Sequence, residues 1–417
     1  MVAMKISIVS HSDTYGGASK AAYRLHTAVG KEKVISNMLV KIKATNDESV
    51  ITTRSSLTLF ISRLLAFLSN KICFLQRSKS PNLHSLNIIG SFVSKLLDKE
   101  ECDVVNIHWV NGETLSIKQI SEINKPIVMT LHDMWAFCGS EHLSSDTHLS
   151  QFRIGYDHES KDADYISGLN INRFLWRLKR KFWVKPFIIV TPSRWMSKCV
   201  RDSVLFSGWD VHTIPNALDT NKFHPTDKLN AREILNLPKD KKLIGFGAIS
   251  GTHDPNKGFD LLEESLSYID RKNDYCCVVV GEQGESKPTI NGIRVIYLGY
   301  STDESKLALF YSALDVMVVP SRIESLSQTA TEAQSCGTPV VSFNSTGLLD
   351  VVEHKNTGYL ALSFDCQDLA KGIIWCVDNS TEMNEACRYR AVTLWSEDVI
   401  AKKYIEVYKR AIESSNL

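Results

Sequence analysis

DVMVVPSRIESLSQTATEAQSCGTPVVSF, residues 315–343, decides how the chain is built. VMVV and PVVSF are short, apolar and rich in β-branched residues, as strands buried on both faces are. Between them SQTATEAQSC reads as a helix, and Gly337 stands where a C-cap glycine belongs. Strand, helix and strand in close succession predict a parallel sheet covered by helices. Glu324 falls in the loop past the first strand, and Glu332 falls eight positions on, in the helix.

The same alternation runs through the whole chain. KISIVSH, DVVNIHW, PIVMTLHD and FIIVTPS read as strands in the first half, with KAAYRLHTAVG as a helix after the loop TYGGAS. KLIGFGAIS, YCCVVVGE, IRVIYLG, DVMVVPS and TPVVSF follow in the second, with FDLLEESLSYID and ESKLALFYSAL among the helices. Two such series predict an α/β chain of two doubly wound, Rossmann-like domains facing each other across a cleft. HTIPNALDTNKFHPTD, with Pro215, Asn216 and Pro225, is the expected linker, so the domains are placed at 1–214 and 215–395. No repeat of 20–50 residues is present. Ligands of open α/β sheets sit beyond the carboxyl ends of the strands. That singles out Gly16 and Gly17, His132 and Asp133, Gly247 to Lys257, Gly281, and Glu324 to Ser327.

Composition excludes several classes. With 417 residues, 43% hydrophobic and 23% charged, the chain has the make-up of a globular protein. Ten cysteines form no CxxC pair, and Cys276 and Cys277 would point to opposite faces of a strand. Neither a zinc site nor a disulfide framework is expected, which favours a reducing cytoplasm. MVAMKISIVSHSD reads as a first strand and not as a signal peptide. The net charge of +1 hides an asymmetry: residues 1–208 hold 27 lysines and arginines against 18 acids, and the remainder 21 against 29. The basic half favours an anionic surface or partner. No run of 18 uncharged apolar residues exists, so no bilayer-spanning segment is expected.

Two stretches break the alternation. LTLFISRLLAFLSNKICFLQR (57–77) has apolar residues at helical period and is expected to pack as a core or inter-helix element. NRFLWRLKRKFWVKPF (172–187) has six cations, no acid and interleaved aromatics, a composition suited to a helix on anionic lipid. Nothing else resembles a nucleic-acid module.

Around Glu324 and Glu332 two readings compete. Ser325-Leu-Ser-Gln328 and Thr329-Ala-Thr-Glu332 both have capping-box spacing, which accounts for Glu332 without any ligand. The other reading takes the loop and helix N-terminus as a source of free N–H groups for phosphate, with carboxylates accepting from sugar hydroxyls.

E-x7-E followed by A-x-x-x-G-x-P-V-V resembles the donor-site signature of the GT-B glycosyltransferases of family 4, which are retaining enzymes using nucleotide sugars. IPNALDTNKFHP resembles that family's linker. Asn256-Lys257-Gly258 resembles its K-G before a helix, VVVGEQGE its V-G-x-G loop, TYGGAS its first glycine loop, and TLHD its first-domain strand ending in histidine. TLHDMWAFCG is similar to a subgroup of bacterial O-antigen and colanic-acid type. SEDVIAKKYIEVYKRAI resembles the closing helix, residues 396–417, that returns to the first domain. The resemblance implies a first domain that binds acceptor and a second that binds the nucleotide sugar, UDP- or GDP-linked, with no other cofactor and no metal ion. It implies that Glu332 holds the ribose, and that Glu324, Ser325, Leu326 and Ser327 meet the donor sugar and phosphates. Lys257 would neutralise the diphosphate, with Gly281 beside it. His132 would approach the reacting carbon, and Gly16, Gly17 and Asp133 would line the substrate loops. The implied partners are a nucleotide sugar, a lipid-linked oligosaccharide and an anionic inner-membrane surface, with no nucleic acid. The implied location is cytoplasmic and peripheral on the membrane, in surface-polysaccharide biosynthesis.

Three positions depart from the pattern: Ala248 replaces an arginine, Ser325-Leu326-Ser327 replaces P-F-G, and Ala217 replaces a glycine. A sugar-nucleotide epimerase of similar layout and an inactive glycan-binding relative remain as alternatives. A dehydrogenase is disfavoured, since Gly245-x-Gly247-x-x-x-Gly251 has one residue too many and only Glu282 offers a ribose-binding acid. The D-x-D at Asp162 and Asp164 reads as a solvated loop.

Overall fold

The computed structural model describes residues 3–158, 160, 165–247, 252–281 and 288–415. Asp162, Asp164, Ala248, Gly251 and Glu282, all named above, lie outside the described residues.

Among the described residues fourteen strands make two sheets. The first contains β1 (Lys5–Ser12), β2 (Ile35–Ile42), β3 (Val50–Ile51), β4 (Val104–Ile107), β5 (Ile127–Thr130), β6 (Ile188–Thr191) and β7 (Val211–Thr213). Their order is β3-β2-β1-β4-β5-β6-β7, parallel throughout. The second contains β8 (Lys242–Gly247), β9 (Tyr275–Val280), β10 (Thr289–Ile290), β11 (Ile293–Tyr297), β12 (Val316–Val319), β13 (Val340–Phe343) and β14 (Gly358–Ala361). Their order is β10-β11-β9-β8-β12-β13-β14, and β10–β11 is its one antiparallel pair among the described residues. Central strands are buried on both faces, which is why they read as unbroken apolar runs: VVNI, YCCVVV and VMVV show no exposed residue. Cys276 and Cys277 enter the cores on opposite faces of their sheet. All ten cysteines are free.

The chain divides into two compact units, Met1–Ala217 with Ile400–Leu417, and Leu218–Val399. The helix Glu397–Ser415 explains the discontinuity of the first. Ile400, Ala401, Tyr404, Val407, Tyr408 and Ala411 recur at helical spacing and are all buried against the first sheet. Two hydroxyls fix its register: Asn106 donates its amide to Tyr408 at 2.7 Å, and the Thr130 and Tyr404 hydroxyls lie 3.2 Å apart.

The two irregular stretches pack differently from expectation. Residues 172–187 bury most of their aromatics. In the helix Ile171–Phe182 and the turn after it, Leu175, Trp176, Trp183 and Phe187 enter the first unit's core, although Phe174 stays exposed. Lys179 is fully buried, donating to the carbonyls of Trp135, Cys138 and Gly139, and burial pulls its pKa down to about 7. Arg173 and Arg177 share Asp157. The reverse holds at 57–77: the helix Ser56–Cys73 and the short turn Phe74–Gln76 leave their apolar side chains outside. By length and composition this segment is long and apolar enough to cross a membrane, contrary to the reading from uncharged run length.

The closing helix gives a stability test. Tyr408→Ala opens a cavity beneath the sheet and should destabilise by about 3–5 kcal/mol. Tyr408→Phe should destabilise by about 1 kcal/mol, the worth of the Asn106 bond. Denaturant unfolding with intact slope measures both.

Candidate functional site

Strand order reverses between β1 and β4 in the first sheet and between β8 and β12 in the second. Loops leaving adjacent strands at such a point depart to opposite faces and leave a crevice at the carboxyl ends.

In the second unit β8 and β12 pair through Val316–Ile244 and Met317–Gly245, so the loops after them run side by side. Gly258 permits the contact. It sits at φ +69°, and a Cβ there would meet the Pro320 carbonyl oxygen at 2.1 Å. Asn256 then pairs with the second loop as a strand residue would. Its amide donates to Ile323 O at 2.8 Å, its side-chain oxygen accepts from Ile323 N at 3.0 Å, and its carbonyl accepts from Arg322 N at 2.8 Å. Arg322 closes the outside with a two-pronged ion pair to Asp260, at 3.0 and 2.6 Å.

That frame aims Lys257 at Glu324: the ammonium donates to Oε1 at 2.6 Å, and Ser321 Oγ donates to the same oxygen at 3.0 Å. Glu324 is held from behind, its N–H donating to Thr346 Oγ1 at 3.2 Å and its carbonyl accepting from Gly347 N at 2.9 Å. Burial disfavours the Lys257 ammonium, but the Glu324 carboxylate outweighs it and holds the amine above its ordinary value. The pair keeps some solvent access, with side chains 31% and 13% exposed. It is a charged contact that an incoming anion can reach.

Past Glu324 the backbone turns sharply. Ser327 has φ +79°, and its Oγ accepts from Ala330 N at 3.4 Å to cap the helix Gln328–Ser335. The capping assignments to Ser325 and Thr329 are therefore replaced by one residue, Ser327. Leu326 is core, so only its backbone is available to a ligand. Glu332 is buried on that helix and accepts from the hydroxyl of buried Tyr311 at 2.9 Å. Gly281 follows β9 with its N–H bonded to Gly299 O at 3.0 Å. The structure thus brings Lys257 and Glu324 together, and gives Glu332 and Gly281 other partners.

In the first unit the carboxyl ends of β1, β4 and β5 gather histidines. His132 Nε2 lies 2.9 Å from His108 Nδ1, the rings stacked at 5.1 Å. Burial pulls His132 down to about 4, with Asp133 opposing, and holds His108 well below its ordinary value, so both are neutral at neutral pH. His108 Nε2 is buried without a hydrogen-bond partner among the described residues. Asp133 turns away from His132. It accepts from Trp109 Nε1 at 2.8 Å, from Trp135 N at 3.0 Å, and pairs with His142 Nδ1 at 2.6 Å. Burial opposes its ionisation, yet His142 and these donors hold its carboxyl below the usual range. His11 crosses the Trp109 ring edge-on at 5.5 Å and sits 2.8 Å from Thr114 Oγ1. His108, Trp109, Asn111, His132, Asp133 and Trp135 line a small open pocket of about 20 Å³.

Gly16 and Gly17 are not loop residues: they begin the helix Gly16–Gly30, whose N-cap Tyr15 supplies no side-chain cap. The residues that sequence reasoning passed over are His11, His108, Trp109 and His142. Two of them had a visible signal, since HSD and IHW place a histidine at a strand's end just as LHD does. Among the described residues no group of three His, Cys, Asp or Glu side chains is arranged to hold a metal ion.

Comparison with known proteins agrees with this architecture unit by unit. Residues 61–222 match the family model described as Glycosyltransferase Family 4, and residues 227–393 match that described as Glycosyl transferases group 1. Each unit thus matches a glycosyltransferase family model, and the fold of the chain is GT-B. D-inositol 3-phosphate glycosyltransferase 2 of Catenulispora acidiphila is 30% identical over 223 residues, 49% of this chain and 51% of that protein. The chain spans about half the length of the curated relatives it matches. Sucrose-phosphate synthase from Thermosynechococcus elongatus superposes with TM-score 0.70 at 19% identity, over 99% of this chain and 100% of that one. HepE of Anabaena, solved in complex with UDP and glucose, superposes with TM-score 0.62 at 16% identity, over 97% and 99%.

The buried histidines make a proton-linkage prediction. His11, His84 and His132 fall to about 4 in the folded chain, and His26 and His108 are also lowered, while the unfolded value is 6.5. Between 6.5 and about 4 the unfolded chain binds more protons, so stability is full above that window and drains as pH falls through it. Calorimetric unfolding near pH 5.5, in buffers of differing protonation enthalpy, should show uptake approaching one proton per such histidine. Unfolding without proton uptake contradicts the assignment.

Proposed function

We propose that the chain is a retaining glycosyltransferase that moves a sugar from a nucleotide-sugar donor to a lipid-linked oligosaccharide in bacterial surface-polysaccharide synthesis. The observation that carries the transfer reading is the Lys257–Glu324 pair, at the ends of β8 and β12 beside the N-terminus of the helix Gln328–Ser335. The group 1 match over that unit supports a nucleotide-sugar donor, as does the UDP in the HepE structure.

In the reaction an acceptor hydroxyl attacks the anomeric carbon, the bond from that carbon to the diphosphate oxygen breaks, and the nucleoside diphosphate leaves. The hydroxyl proton passes to the departing phosphate oxygen on the same face, which preserves the anomeric configuration. Charge grows on the diphosphate, and the Lys257 ammonium with the helix N-terminus is suited to meet it. Once Lys257 turns to phosphate, the Glu324 carboxylate is left to accept from hydroxyls of the donor sugar. Neutral His132 can donate or accept a hydrogen bond without adding charge beside the reacting carbon. This reading calls for no metal ion. The donor is met in the cytoplasm.

Lys257→Ala and Glu324→Ala separate function from stability. A partly exposed ion pair contributes about 0–1 kcal/mol to folding, whereas a lost transition-state contact lowers turnover by about 100- to 1000-fold. Release of nucleoside diphosphate from a panel of UDP- and GDP-sugars should fall by that factor in both variants, and in His132→Ala, with melting temperature nearly unchanged for the Lys257 and Glu324 variants. An epimerised sugar nucleotide without release would identify an epimerase. Turnover insensitive to Lys257 would remove this site from the chemistry.

A further inference from the structure

The segment Ser56–Gln76 is built inside out. Its apolar side chains are outside: Leu57, Phe60, Phe67 and Phe74 are 56–73% exposed, and Ile61, Leu64, Leu68 and Ile72 are also exposed. The residues most deeply buried against the protein are polar, with partly buried Cys73 packed beside them. Ser62, Ser69 and Gln76, spaced by seven on one stripe, are each 4% exposed or less. Ser69 Oγ donates to the buried Glu113 carboxylate at 2.6 Å, and Gln76 Oε1 accepts from Asn172 N at 3.1 Å. A helix that meets water has the opposite arrangement, with its apolar stripe turned to the core. Exposed apolar surface of this extent marks an interaction face.

The chain continues the face on both sides. Glu113 also accepts from Ile89 N and Gly90 N, at 2.8 and 2.9 Å, which sets exposed Ile88 and Ile89 beside the helix. Leu169 N donates to Leu75 O at 3.0 Å, and Leu169 and Tyr165 are exposed there, with the Lys79 ammonium 4.7 Å over the Tyr165 ring.

Charge selects the occupant. No acid occurs between Glu48 and Asp98, while Arg54, Arg63, Lys71, Arg77, Lys79 and Lys95 fall in that interval. None of these six cations forms an ion pair among the described residues. An apolar face rimmed by uncompensated cations, with a tyrosine beside a lysine at its edge, matches the acyl region and anionic headgroups of a lipid leaflet. The helix does not cross the leaflet. Spanning surrounds a helix with hydrocarbon, and here Ser69 and Gln76 are hydrogen-bonded to Glu113 and Asn172 of the same unit, with Ser62 buried on the same stripe.

We propose that the Ser56–Gln76 segment inserts in the plane of an anionic membrane leaflet by its Phe60–Phe67 face and docks the first unit there. The inference stands on this surface alone, and its failure would leave the transfer reading untouched. The test is flotation of the full chain with phosphatidylcholine vesicles, with and without phosphatidylglycerol. The parent chain should float with the anionic vesicles. Phe60→Ser with Phe67→Ser should lower the bound fraction at least about tenfold, since several buried methylenes are lost. Circular dichroism and melting temperature should stay as in the parent, because both side chains are exposed. Arg63→Gln with Lys71→Gln and Arg77→Gln should abolish the preference for phosphatidylglycerol. Lys181→Gln with Lys185→Gln, outside this face, should bind as the parent does. Failure to float with either vesicle overturns the proposal, as does equal flotation of the phenylalanine variant. Light scattering that shows a dimer, split by the phenylalanine substitutions, without flotation, would assign the face to a second copy of the chain.

Discussion

A carboxylate and an ammonium 2.6 Å apart, at the adjoining ends of two parallel strands, set the chemistry of the second unit. The contact depends on pairing far from either residue. β8 and β12 are neighbours, Gly258 accepts the Pro320 carbonyl where any side chain would clash, and Asn256 bonds across to Ile323. Each step shortens the reach of Lys257, so its ammonium is aimed before any ligand arrives. Pre-aimed charge is worth more to a reaction than mobile charge because no reorganisation accompanies the bond change. Glu324 keeps the cation from collapsing onto another acid, and becomes available to hydroxyls when an anion displaces it.

The first unit solves a different problem. His11, His108 and His132 are too buried to carry charge at neutral pH, and His108 with His132 forms a neutral hydrogen-bonded pair beside an open pocket. Neutral imidazoles orient hydroxyls without attracting counter-ions. Asp133 is adjacent in sequence yet serves Trp109, Trp135 and His142, so it braces the pocket wall and leaves His132 to His108. The fully buried Lys179 ammonium, capping three carbonyls of the 135–139 turn, braces the same wall from behind.

Much of the fold was legible because strands covered on both faces are apolar almost throughout: VVNI, YCCVVV and VMVV are short, β-branched runs of that kind. β2 and β14 went unread, since ISNMLVKI mixes polar residues into its run and GYLA is only four residues long. The site was legible only in parts. Lys257 and Glu324 were each visible, but their contact joins residues 67 positions apart and follows from a strand order that periodicity does not encode. His108 is 24 positions from His132 and was hidden for the same reason. Tyr311 as the partner of Glu332 had no sequence signal, because a tyrosine in an apolar helix reads as packing.

The two irregular stretches bury different side chains from those their composition suggests, and the reason is physical. Periodicity tells that a helix has an apolar side, but not which side meets the protein. In 172–187 the cations drew attention, yet Lys179 is internal, Arg173 and Arg177 share Asp157, and the tryptophans fill the core. In 57–77 the apolar residues drew attention, yet the informative ones were Ser62, Ser69 and Gln76. Ser69 and Gln76 are tied to Glu113 and Asn172, and Ser62 is buried on the same stripe, so this segment turns a mostly polar stripe to the protein. Such a stripe makes sense only when the medium on the other side is less polar than the protein surface it touches. An apolar stripe shows that a helix is amphipathic, and a polar stripe with buried partners shows which way it faces.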